Sequence, residues 1–173
     1  MSDNINVGSA DDIDENTKRM AMVCWSNDLD RVWPVLILAT TGAASGMQVD
    51  VFFTFWGLRV LQRNDKRVTG QNWMQKGESL VDRGGTDHLK LGKIHFGGMG
   101  TKMIKTLAND YKVASPTELL EMAQDIGVRL YPCQMTMDLY GFTTEDFIPG
   151  LEPSMGAASF LDMAADADIT MFI

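Results

Sequence analysis

The two cysteines, Cys24 and Cys133, are the side chains of this 173-residue chain best suited to nucleophilic chemistry. Cys133 lies in VRLYPCQMTMDLYGF (128–142), where a strand-like run meets a proline and then a helix-forming stretch. A cysteine just past a strand and at a helix start meets unpaired backbone N–H groups and the positive end of the helix dipole. Both favour thiolate, and thiolate is the nucleophile. Gln134 and Thr136 bring donors beside the sulfur, and Met135 and Met137 offer a polarisable apolar rim. Read this way, Cys133 is catalytic. Read equally well, it is a small buried hydrophobe. Position alone leaves both readings open.

Cys24 ends the apolar run RMAMVC (19–24) at the same carboxyl-end rim. If its strand neighbours the 128–131 strand, the two sulfurs approach closely, and a disulfide needs Cα atoms within about 7 Å. Cys24 is then a resolving partner; otherwise it belongs to the pocket floor or the core. Ser26 and Asn27 follow it in a polar loop. Phe55, Trp56 and Gly57, in FFTFWG, reach the same rim, where aromatics wall a pocket or an oligomer interface. A zinc site from Cys24, His88, His95 and Cys133 lacks any CxxC or HxxxH spacing, so no metal is expected. FGGMGTK is neither GxxxxGK[ST] nor GxGxxG, and the loop CWSNDLD contains no glycine. A dinucleotide site is therefore not expected, nor any other cofactor. No nucleophile elbow and no acid/base dyad is visible.

The elements that must position these residues follow from periodicity. Residues 1–17 read as a disordered acidic tail. The spacing predicts a strand over 19–24 and a helix from about Asp30 to Ser45, with Pro34 in its first turn and Gly46 as a left-handed cap. MQVDVFFTF (47–55) is β-rich, and GLRVLQRN starts another helix. Residues 64–97 read as an insertion, broken by glycines, with a short helix near Trp73–Leu80. TKMIKTLAND is helical. SPTE (115–118) is a capping box that opens a helix stopped by Gly127. A strand over 128–131, one or two short helices over 134–148, a helix over 154–168 and a strand over 169–173 complete the chain. This alternation predicts one α/β domain over 18–173, a doubly wound parallel sheet of four or five strands with a helical insertion. Ligands belong at the carboxyl ends of its strands, near the switch point.

Charge is unevenly spread beneath a net of -8. Residues 1–16 hold five acids and no base; 59–112 hold eleven Lys/Arg against five acids; 113–173 hold one base and ten acids. The basic middle suits an acidic partner or a plain solvated surface. Global acidity argues against nucleic acid. No apolar run is long enough for a membrane span, no secretory leader is evident, and two cysteines suit a reducing cytoplasm.

Four stretches, MQVDVFFTFWGLRVL, FGGMGTKMIK, SPTELLEMAQDIGVRLYPCQMTMDLYGF and GAASFLDMAADADITMFI, resemble the DsrE/DsrF-like proteins, in the sulfur-carrier branch often labelled peroxiredoxin-like. The resemblance covers about residues 19–173, and CQMxMD at Cys133 is its most specific part. It implies a flavodoxin-like parallel sheet and trimers or hexamers. It also implies a persulfide on Cys133, received from and passed to rhodanese-like or TusA-like proteins. No peroxidatic TxxC motif is present. Two alternatives stand beside it: a thiol redox protein using Cys24 and Cys133, and a non-catalytic ligand-binding or oligomeric module.

Overall fold

The computed structural model describes residues 17–65, 68–81, 83–93 and 98–173. The acidic tail (but for its last residue), His95 and Gly97 lie outside the described residues. Among the described residues four strands form one parallel sheet: β1 (Arg19–Cys24), β2 (Gln48–Phe53), β3 (Arg129–Pro132) and β4 (Ile169–Phe172), in the order β3-β2-β1-β4. All lie within a residue or two of the spans that the apolar runs predict. β1 and β2 are almost wholly buried, as strands covered on both faces should be.

Helix α1 (Leu29–Ala44) joins β1 to β2 and buries Leu29, Val32, Val35, Leu36 and Ala39. Because α1 starts at Leu29, Pro34 falls in its second turn rather than the expected first, and the helix runs on through it. Gly46, at φ 83°, turns the chain into β2. Helix α4 (Pro116–Asp125) packs beside α1 on the same sheet face and opens with the complete Ser115–Glu118 capping box. Between them come α2 (Trp73–Val81) and α3 (Met99–Asp110). Trp33 Nε1 ties this region down by donating to the Ala114 carbonyl at 2.8 Å. After β3 come α5 (Gln134–Tyr140) and α6 (Ala157–Ala165).

A further sequence expectation needs correcting. Residues 55–61 form a 3-10 helix rather than an α-helix. The cause is crowding at the end of β1. Gly57 N donates to Trp25 O at 2.9 Å, and a Cβ at Gly57 would lie 2.2 Å from the Cys24 carbonyl oxygen. The preceding Phe55 is held at φ 50°, a left-handed conformation that costs an L residue energy.

The two sheet faces differ sharply. The larger core, with Met22, Cys24, Val51, Phe53 and Leu130, lies under α1 and α4. The smaller cluster, Ala21, Phe52, Tyr131, Cys133 and Phe160, lies under α6. Phe160 stacks on Phe52 with ring centroids 4.8 Å apart. Lower on the smaller face, Asp50 is only 1 % exposed and takes two hydrogen bonds from Arg129, at 2.6 and 2.8 Å. Removing Arg129 would leave the buried Asp50 carboxylate without its ion partner.

Candidate functional site

Cys133 follows directly on β3. Its N–H donates to Phe53 O at 3.0 Å, which extends the β2–β3 ladder, and its carbonyl accepts from Met137 N at 3.0 Å. It is the N-cap residue of α5, but its sulfur makes no capping hydrogen bond. Strand alternation explains why. Tyr131 and Cys133 point to one face, while Leu130 and Pro132 point to the other. The thiol therefore turns into the smaller cluster, against Phe52, Tyr131 and Phe160, and the residue is 2 % exposed.

Cys24 ends β1 and faces the larger core, fully buried. Burial pushes its pKa up to about 12, against the small opposing effect of its hydrogen bond to Ser26 O at 3.5 Å. Strand β2 separates it from β3. The neighbouring-strand arrangement that a resolving pair requires is thus not the one the chain adopts.

Alone, these positions describe two cysteines at the carboxyl ends of a parallel sheet. A model of the DsrE/DsrF/DrsH-like family matches residues 16–172. The chain belongs to that family. It is 36% identical over 161 residues to "Sulfur carrier protein DsrE2" of Allochromatium vinosum, covering 90% of this chain and 98% of that one. It is 34% identical over 159 residues to "Uncharacterized protein YrkE" of Bacillus subtilis (strain 168), covering 92% and 99%. Two solved structures share the fold: MTH1491 of Methanobacterium thermoautotrophicum and ychN protein of E. coli. Each has a TM-score of 0.55, at 13% and 12% identity, and covers at least 90% of this chain and 99% of the other.

The DsrE-like sheet distributes the remaining rim residues unevenly. Phe55, Trp56, Gln134 and Met135 are exposed around the start of α5, and Asn27 is half-buried. Ser26 is buried and accepts from Asp28 N at 3.0 Å, so it shapes the loop rather than lining a surface. Thr136 is fully buried. Its hydroxyl accepts from Phe55 N at 3.1 Å and pairs with the Thr54 hydroxyl at 3.3 Å. It clamps the strained Phe55 turn to the first turn of α5. Gly57 is a close-approach position, and Met137 packs into the larger core.

The thioethers packed against the cluster that holds Cys133 are those of Met155 and Met163, with Val23 beside them. The sequence spacing predicts Met135 and Met137 there, but Met135 is exposed and Met137 faces the larger core. The period-2 alternation of Arg129, Tyr131 and Cys133 would have shown which face the thiol takes. Nothing local identifies Met155 and Met163, because they reach the site from later in the chain, Met155 from the connection before α6 and Met163 from α6 itself. Among the described residues no group of three or more His, Cys, Asp or Glu side chains is placed to hold a metal ion. Among them, too, no helix is long and apolar enough to cross a membrane.

Proposed function

We propose that this DsrE-like chain carries sulfane sulfur as a persulfide on Cys133 and relays it between proteins. The observation that carries the reading is the near full-length similarity to a protein named as a sulfur carrier. The sheet geometry supports assigning the role to Cys133: Cys24 is held as a neutral thiol deep in the larger core. In the first step the Cys133 thiolate attacks the outer sulfur of a donor persulfide. A new S–S bond forms, the donor S–S bond breaks, and the donor leaves as thiolate. In the second, an acceptor thiolate attacks the outer sulfur now on Cys133, which departs as thiolate. Neither step needs a redox partner or a metal.

The donors and acceptors of this reading are rhodanese-like and TusA-like proteins, in a cytoplasmic sulfur-oxidation or relay setting. The working form is a homo-trimer or hexamer. Large apolar side chains left open on the α6–β4 side, Leu161 and Phe172, support self-association.

The test uses a radiolabelled persulfide donor, followed by gel filtration and an excess of a small thiol acceptor. Label should stay with the protein after filtration and pass to the acceptor as sulfane sulfur. Protein that never retains label, or retains it against excess thiol, contradicts the proposal.

A further inference from the structure

Access and chemistry conflict at Cys133. Transfer needs its sulfur within bonding reach of another sulfur, yet the residue is 2 % exposed. Part of the cover is the segment GLEPSMG (150–156), which runs as a strap along the open edge of β3. Glu152 N donates to Leu130 O, Met155 N to Pro132 O and Gln134 N to Met155 O, each at 3.0 Å. The Ser154 hydroxyl donates to Gln134 Oε1 and closes the far end. The Met155 side chain then packs on the Cys133 cluster.

Besides these hydrogen bonds, Leu151 of the strap packs against the larger core, and Gln124 Nε2 donates to Pro149 O, just before it, at 2.7 Å. The back of the strap borders a cavity of about 290 Å³, lined by Pro132, Met137, Phe147, Leu151 and Pro153 among others. A glycine bounds it at each end. Gly150 stands at φ 76°, and a Cβ at Gly156 would meet nothing within 4 Å. On its other edge β3 is held by β2 along four registered pairs, so the strap's bonds are separate from those that hold the sheet together.

We infer that residues 150–156 form a gate that lifts from β3 to admit a sulfur-bearing group to Cys133. Gly150 and Gly156 are its hinges, the Ser154–Gln134 hydrogen bond is its latch, and Met155 is the side chain it withdraws. Closed, the strap slows the approach of water and small thiols to the sulfur; open, it frees the edge of β3 beside the exposed Gln134 and Met135. The inference deepens the carrier proposal and rests on Cys133 being the site of transfer.

The test measures alkylation of Cys133 by iodoacetamide in the full chain, with mass mapping of the modified peptide. Hydrogen exchange at the Glu152, Met155 and Gln134 amides is measured in parallel. Opening of a gate gives both probes the same protection, at least tenfold relative to the unfolded chain. That protection is insensitive to urea below the unfolding transition. Ser154→Ala, which removes the latch, should speed both about 2–10-fold. Gly156→Ala restricts the open state and should slow both about 2–5-fold. The inference is overturned by a Cys133 that reacts as fast as in the unfolded chain, or by protection that falls with urea as steeply as global unfolding. Two variants that leave both rates unchanged would overturn it equally. If the rates behave as expected and sulfur loading fails, the gate stands and the carrier proposal falls. Loading with unprotected rates does the reverse.

Discussion

Cys24 and Cys133 lie on opposite faces of the sheet, with strand β2 between their strands. Two strand spacings put their Cα atoms roughly 10 Å apart, beyond the reach of a disulfide, and their side chains point away from each other. Mild oxidation should therefore leave no intramolecular bridge. Denaturing alkylation after diamide treatment is expected to count two free thiols per chain, or one where chains have cross-linked through Cys133. Loss of both thiols within a monomer would restore the redox-pair reading.

Cys24 makes stability fall at high pH. Its folded pKa, about 12, lies above the usual thiol range. Between the unfolded and folded values the unfolded chain has released a proton that the native state keeps, so stability drops as pH rises. The contribution is complete below about pH 8.5 and declines by about 1.4 kcal/mol per unit above it. Urea midpoints from pH 8 to 11 should fall more steeply for the wild type than for Cys24→Ala. Parallel slopes would mean that Cys24 titrates normally.

The Thr136 clamp is open to the same kind of measurement. Thr136→Val keeps the volume and removes the hydroxyl that accepts from Phe55 N. A backbone N–H left without that acceptor, in a turn already strained at φ 50°, should cost about 1–3 kcal/mol by urea denaturation. A cost below about 0.5 kcal/mol would show that the Phe55 turn holds itself.

Much of the layout was legible because its signals are local. The apolar runs 19–24 and 47–55 mark buried strands, the 3.6-residue spacing of Val32, Val35, Leu36 and Ala39 marks α1, and Ser115–Glu118 marks the start of α4. What was hidden depends on distant partners. Strand order decides whether the cysteines are neighbours, and no residue of β1 or β3 encodes it locally. The 3-10 turn at 55–61 comes from the Gly57 backbone meeting Cys24 O, a contact across the rim. The direction of the Cys133 thiol follows from alternation along β3, whereas the helix start at Gln134 by itself suggests a capping role. The strap over β3 belongs to a connection, GLEPSMG, with no helix or strand period, whose hydrogen-bond partners are Leu130, Pro132 and Gln134, well before it in the chain.

The central claim is that one thiol, Cys133, holds the travelling sulfur. Intact mass after incubation with a low-molecular-weight persulfide donor tests it directly, on the wild type, Cys24→Ala and Cys133→Ser. The account predicts a gain of one sulfur atom on the wild type and on Cys24→Ala, mapped to the peptide containing Cys133 and removed by a thiol reductant, and no gain on Cys133→Ser. Loading of Cys133→Ser to the wild-type extent would contradict it.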